Sequence, residues 1–325
     1  MTNENHSHIK YLLLIFLMVG CIANRPTERI EFEANDLYPE GIAYDSTAGV
    51  YYVSSMRSGT IGKVDRSGNY SPVHEDSTLK SSYGMKLHPD GKTLYVMVGD
   101  ANYSRYTSPD TRKKMIRLIA LDLASGQRTR DIDLSGLVPG EHFGNDLIFD
   151  RNGNIYITDS YAHAIYKVDP SGSPSVFVQD SLFATKGFGV NGIVYHPDNF
   201  LLVSNSNTGQ IYKVNIDPVQ VQAVKTDQFF LGADGLLLDD PNQLIIVTNG
   251  GNDKIFQIKT EDGWGSAKLN ATTLLADRFT YPATATFANG QIWVMNAKTN
   301  ELLDSNAVPS SKFAIQRAVL KPLPR

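Results

Sequence analysis

One two-stranded pattern returns six times along this chain, and that repetition limits the fold more than any other feature. The copies read "EGIAYDSTAGVYYVSS" from Glu40, "GMKLHPDGKTLYVMVG" from Gly84 and "NDLIFDRNGNIYITDS" from Asn145. They continue with "NGIVYHPDNFLLVSNS" from Asn191, "DGLLLDDPNQLIIVTN" from Asp234 and "PATATFANGQIWVMNA" from Pro282. In each, a short apolar strand leads into a turn of Asp, Asn, Gly or Pro, and a β-branched and aromatic strand follows. The copies start 44, 61, 46, 43 and 48 residues apart. Intervals of that length, with four short strands per unit, predict an all-β, six-bladed β-propeller. Third strands are visible in "TIGKVD", "AIYKVD", "QIYKVN" and "KIFQIK", and a fourth in "SVFV" at 175–178.

A propeller must close its ring or leave an open sheet edge. The sixth copy is followed by one more strand, "KFAIQRAVL" at 312–320, so its outer strand must come from elsewhere. "RIEFEA" at 29–34 fits, which joins the N- and C-terminal strands in one blade. The 61-residue interval holds an insertion at 100–115, between the second and third strands of blade two. Strands alternate in direction, so the insertion emerges on the face where the first strands begin. There it forms either a cover over the central opening or a solvated loop.

The first strand of each blade lines the channel, so the residues that begin these strands form a ring. Read in blade order it is Glu40, Gly84, Asn145, Asn191, Asp234 and Pro282. Four of the six carry a side-chain oxygen, and none is His or Cys. Such a set suits a hard divalent cation, Ca²⁺ before Mg²⁺, Mn²⁺ or Zn²⁺. Two carboxylates and two amides would neutralise it, while water or substrate completes its coordination. Taken singly, Asn-Gly and Asp-Gly are ordinary turn sequences; their coincidence at one repeat position is what points to a site.

The motifs resemble those of the senescence marker protein (regucalcin)/gluconolactonase family, within the calcium-dependent phosphotriesterase superfamily. "EGIAYD" at Glu40, "NDLIFDRNG" at Asn145, "NGIVYHPD" at Asn191 and "ADGLLLD" before and after Asp234 follow the family order over about residues 30 to 300. Ile42 stands where Pro is frequent in the family, and the blade-two insertion is a departure. The resemblance implies a six-bladed propeller with Glu40, Asn191 and Asp234 as metal ligands. Asn145 falls at the remaining ligand or substrate-binding position. It also implies a metal-dependent hydrolase of a lactone or related ester. Asp234 is the first candidate for the catalytic group and Glu40 the second, and the partner is a small-molecule substrate. Two alternatives stay open: a non-catalytic propeller with a structural cation that binds a ligand or a protein, and a different reaction on this architecture, as in strictosidine synthase-like proteins.

Other residues fall near the same face. His142 precedes blade three and is a candidate proton shuttle, while Arg57, Tyr161, Asn205, Asn249 and Asn296 follow second strands. Arg105, Arg112, Lys113 and Lys114 in the insertion are candidates for attracting an anionic sugar acid.

The N-terminus has another purpose. A polar segment ending in Lys10 precedes "YLLLIFLMVG" at 11–20, and the only cysteine, Cys21, follows. The run is short for a membrane span and has the length of a signal-peptide core. "MVGC" resembles a bacterial lipoprotein signal with Cys21 as the lipidated residue. We therefore expect a signal at 1–21, a linker at 22–28 and one propeller domain at 29–325. The protein is expected in the bacterial periplasm or on the cell surface, touching membrane only through its lipid. A lone cysteine allows no internal disulfide. A net charge of −4 with no basic block argues against nucleic acid as a partner, and a monomer is expected. Sequons at Asn69, Asn102 and Asn270 would matter only in a eukaryotic secreted chain.

Overall fold

A computed structural model describes residues 28–323. The expected signal and Cys21 lie outside the described residues. Six antiparallel sheets, each built on four strands in radial order, form the blades. Blade one is Ile42–Asp45, Val50–Val53, Ile61–Val64 and Tyr70–His74, and blade two is Ser81–Leu87, Thr93–Gly99, Ile116–Asp122 and Arg128–Asp133. Blades three, four and five open with Gly144–Phe149, Val190–His196 and Ala233–Asp240, and repeat the order. Each inner strand packs against the inner strands of both neighbouring blades, and the sixth returns to the first.

Blade six combines the chain ends. Pro282–Ala288, Gln291–Asn296 and Lys312–Ala318 are its first three strands, and Arg29–Glu33 is the fourth. The last pair runs in register from Arg29 opposite Gln316 to Glu33 opposite Lys312. Alternation in the closing strand turns Ile30 and Phe32 inward and leaves Arg29, Glu31 and Glu33 exposed. The Phe32 ring meets Phe313 of blade six and Tyr70 of blade one, each at 6.1 Å between centroids. The closing strand thus ties two blades together. Antiparallel pairing also fixes its direction. Arg29 lies on the lower face and Glu33 on the upper, where upper denotes the face on which the inner strands begin.

Second and third strands are covered on both sides by adjacent blades, so their residues face apolar neighbours whichever way they point. Val96, Ile119, Ile157, Val203, Ile246 and Val294 are fully buried. Outer strands are solvated, as in the mostly exposed Arg128–Asp133. Two short pieces extend blade five beyond its fourth strand, Ser266–Thr272. Lys225–Thr226 pairs with it in parallel and Lys321–Pro322 antiparallel.

Candidate metal centre

The inner strands share one irregularity. In blades two to six the pairing register shifts near the start of the strand, at Ser82/Met85, Gly144/Leu147, Val190/Ile193, Ala233/Leu236 and Pro282/Ala285. A bulge at that point releases two successive residues from regular alternation and re-aims their side chains. Regular pairing resumes at Ile42, Met85, Leu147, Ile193, Leu236 and Ala285. Counting back two residues gives the ring as Glu40, Tyr83, Asn145, Asn191, Asp234 and Ala283. The sequence reading of Gly84 and Pro282 is therefore corrected by one residue in each case, to Tyr83 and Ala283. In blade two the bulge residue itself reads as the strand start, and in blade six the start reads one residue early.

Glu40, Asn145, Asn191 and Asp234 line one cavity at the upper end of the channel. Below them the channel narrows to a waist that includes Gly84, Asp146, Gly235 and Thr284 and is too tight to admit water. Glycine is required at the waist for closeness of approach. A Cβ on Gly84 would collide with the backbone carbonyl of Asn145, and one on Gly192 with that of Asp234. Inner strands can then meet at backbone distance, which draws the ring side chains onto the axis.

A second repeated position orients them. Fifteen residues after Asn145, Asn191 and Asp234 stand Ser160, Ser206 and Asn249. Asn145 Nδ2 donates to Ser160 Oγ at 3.2 Å, and that hydroxyl donates to the Val190 carbonyl of the next blade at 2.6 Å. Asn191 Nδ2 donates to Ser206 Oγ at 2.9 Å, and Ser206 to the Ala233 carbonyl at 2.8 Å. Asn249 Nδ2 donates to Asp234 Oδ2 at 2.7 Å and to the Pro282 carbonyl at 3.2 Å. Each link joins a ring side chain to the backbone just before the next ring position. With its amino group engaged, Asn145 turns its oxygen away from that link. Asn145 Oδ1 and Glu40 Oε2 are buried acceptors with no hydrogen-bond partner.

Sequence reasoning passed over Ser160 and Ser206, and the constant spacing of fifteen residues was the signal available for them. It also passed over the pair at the waist. Lys86 Nζ approaches Asp146 Oδ1 at 3.2 Å, with both side chains largely buried. This leaves three carboxylates, Glu40, Asp146 and Asp234, facing one ammonium. Burial raises the Glu40 carboxyl well above the usual range, and Asp234 and Asp146 raise it further while Lys86 offsets part. Burial likewise pushes Asp234 from 3.8 up to about 7, restrained by hydrogen bonds from Asn249 and Asn191. Asp234 keeps an edge open to the cavity yet is enclosed by protein on its other sides.

The other candidates separate. Asn249 belongs to the site. Asn205 and Asn296 are buried braces, the first donating to the Phe183 carbonyl and the second accepting from Thr280 N. Arg57 binds Asp36 at 3.1 Å and donates to the Tyr103 carbonyl at 2.6 Å, which pins the insertion. Asp100 gathers the rest of that loop, accepting from Thr107 Oγ1 and Thr111 Oγ1 at 2.8 and 2.7 Å. Lys113 turns to Glu141 at 3.1 Å and over the Tyr161 ring. Lys114 donates to the Pro109 carbonyl, and Arg105 lies over Tyr106. None of the insertion's basic residues lines the cavity, whereas Tyr103 does.

His142 does not line it either. Its Nδ1 lies 2.7 Å from Asp159 Oδ2, with both residues buried. Asp159 also accepts from Tyr166 Oη at 3.0 Å and from Phe143 N at 2.9 Å. This network braces the segment that carries Phe143 and Asn145 into blade three. His142→Ala should cost about 1–3 kcal/mol in a denaturant melt through the polar partners it strands, and leave cation-induced stabilisation as in the parent. Loss of the cation response would return His142 to the site.

No group of three or more His, Cys, Asp or Glu side chains fit to hold a metal occurs among the described residues. Any cation here would rely on two ring carboxylates together with amide oxygens.

Comparison with solved structures finds the same architecture. Mala s 1, the major allergen of Malassezia sympodialis, superposes with a TM-score of 0.71 at 17% identity, over 90% of this chain and 96% of that one. A gluconolactonase from Xanthomonas campestris superposes at 0.59 and 14% identity, over 90% of each chain. Virginiamycin B lyase from Staphylococcus aureus does so at 0.54 and 14%, over 90% of this chain and 100% of that one. At such identities the likeness is one of fold. No protein-family pattern matches the sequence, and no curated protein matches it.

Proposed function

We propose that this propeller is a divalent-cation-dependent hydrolase of a lactone or related ester, with Ca²⁺ held by Glu40, Asn145, Asn191 and Asp234. The observation that carries the reading is the pair of buried, unpartnered oxygens, Glu40 Oε2 and Asn145 Oδ1, in a cavity shared with a second carboxylate. Buried acceptors are rarely left unpaired, because each costs about 1–3 kcal/mol. Three carboxylates against one lysine leave a local charge of −2 when all are ionised, which one divalent ion cancels. The donor set is oxygen only, which suits Ca²⁺ or Mg²⁺ better than Zn²⁺. The gluconolactonase among the structural neighbours supports the choice of reaction.

A bound cation would polarise the carbonyl oxygen of the ester and stabilise the charge that develops on it. The chain's own groups do the rest. Asp234, oriented by Asn249, takes the proton of the attacking water. As the ester C–O bond breaks, that proton passes to the departing oxygen. Asn145 contacts the substrate beside the reacting carbon.

The first test is cation titration of chelated protein, followed by thermal stability and by hydrolysis of lactones and aryl esters. Occupancy at a hundred times the dissociation constant should add about 2.7 kcal/mol of stability. Absence of any response to Ca²⁺, Mg²⁺, Mn²⁺ or Zn²⁺ would remove the proposal. Binding without turnover would leave a propeller with a structural ion.

The pH profile offers a second test. Without a cation, Glu40 and Asp234 keep protons in the folded state that the unfolded chain has already released near pH ~4. The folded state thus binds more protons between that point and about 7, the raised value of Asp234. Stability should fall as pH rises through this window, by about 1.4 kcal/mol per pH unit for each proton retained. Saturating Ca²⁺ should remove the slope. Melts of chelated protein from about pH 5 to about pH 8 measure it, and a cation-free profile that rises instead would contradict the assignment.

A further inference from the structure

The wall above the ring differs in kind from its floor. Tyr103 from the insertion, Phe143, Phe188, Tyr281, Met56 and Leu303 surround the mouth of the cavity. Among the described residues, the only charged ones lining it are Glu40 and Asp234, both in the floor. Phe143 is the hub, with ring centroids 5.6 Å from Phe188, 5.8 Å from Tyr161 and 6.4 Å from Tyr103. Tyr161 stacks on Phe188 at 5.3 Å behind the wall. These rings hold one another in place before any ligand arrives, so little ordering cost remains for binding. The cavity measures about 110 Å³. That is smaller than the ~150 Å³ cavity that accommodates one benzene ring, so one ring is the largest flat body it would take, with its edge in the open mouth.

We propose that this wall makes the site selective for a neutral ester or lactone whose body is a single flat apolar ring, against polyhydroxylated or anionic sugar lactones. The inference rests on the hydrolase reading for its choice of ester, and on the cavity alone for its choice of body. A flat ring seated among Tyr103, Phe143 and Phe188 removes apolar surface from water on both partners. A sugar lactone would bring several hydroxyls into the same space. The polar groups of the cavity lie mainly in its floor, and above them only Tyr103, Tyr281 and Thr299 are polar, so hydroxyls held among the rings beyond reach of these groups would lose water without gaining a partner. An anionic substrate finds no arginine or lysine on the lining among the described residues. Lys86 lies in the waist below, paired with Asp146, and Arg57 and Lys113 are committed to Asp36 and Glu141.

The experiment uses the full chain with calcium added and two non-hydrolysable lactams as probes, dihydroquinolinone and gluconolactam, titrated by calorimetry. Dihydroquinolinone should bind roughly tenfold to a hundredfold more tightly. Tyr103→Ala should shrink that ratio by about tenfold. Leu303→Asp, at a residue 70% exposed and so safe for folding, should shrink it as well. Equal binding of the probes, tighter gluconolactam, or a ratio unmoved in both variants would overturn the proposal. Turnover separates it from the hydrolase reading. Selective binding with no hydrolysis of dihydrocoumarin sinks the hydrolase and keeps the selectivity. Hydrolysis of gluconolactone as fast as dihydrocoumarin does the reverse.

Discussion

Asp234→Asn is expected to abolish cation-induced stabilisation and to lower cation-dependent ester hydrolysis by about a hundredfold to a thousandfold. The substitution keeps the size of the side chain, so the cavity and the waist below it should be preserved. It removes one of two ring carboxylates, and with it half of the formal charge that would hold a divalent ion. It also replaces the group that accepts the water proton with an amide, which cannot. The same change should make the cation-free protein more stable at alkaline pH. There the parent must ionise a carboxyl that burial has pushed to about 7, while the variant ionises nothing at that position. Opposite signs in the two measurements separate a site from a fold defect, because a misfolded variant would lose both. Thermal melts with and without Ca²⁺ on either side of neutrality read both effects. A variant that keeps the parent's cation response would show that Asp234 is no ligand.

Phe32→Ala should destabilise the propeller by about 3–5 kcal/mol, which for a chain of this size lowers the melting temperature by roughly 10 °C. The side chain is 2% exposed and packs between Phe313 and Tyr70. Its loss opens a cavity at the one blade whose strands come from both ends of the chain. Ring closure there depends on pairing residues almost three hundred positions apart. A loosened closing strand would also bare the edge of Lys312–Ala318. Glu33→Ala on the same strand is the control. Its salt bridge to Lys312 joins two side chains more than two-thirds exposed, so its loss should stay within about 0.5 kcal/mol. Equal effects from both substitutions would show that packing on Phe32 is not what closes the ring.

Repetition made the architecture legible. The strand pattern of each hairpin, the ring closure by 29–34 and the placement of the insertion all follow from alternation and from the need to cover an edge. The meeting of Glu40, Asn145, Asn191 and Asp234 was legible for the same reason, since equal positions in equal units converge on an axis. Gly84 and Pro282 each fall one residue off the ring because a bulge adds a residue without disturbing the apolar pattern on either side. Asp146 was hidden by the glycines that occupy its position in four other blades. Lys86 reaches it across the waist, a contact between blades that only the closed ring creates. In the sequence His142 reads as a candidate proton shuttle. Its burial against Asp159 depends on a contact seventeen residues away that no local pattern encodes.

The direction of the closing strand has one more consequence. Arg29 stands on the lower face, whereas the cavity opens on the upper, so whatever precedes the propeller departs from the side opposite the mouth. The seven residues at 22–28 span at most about 25 Å when fully extended. Should Cys21 carry lipid, as its setting leads us to propose, the toroid would ride close above the bilayer with its opening turned outward. Solutes would then arrive from the surrounding medium, and the lipid surface would be shielded from the chemistry by the depth of the protein itself.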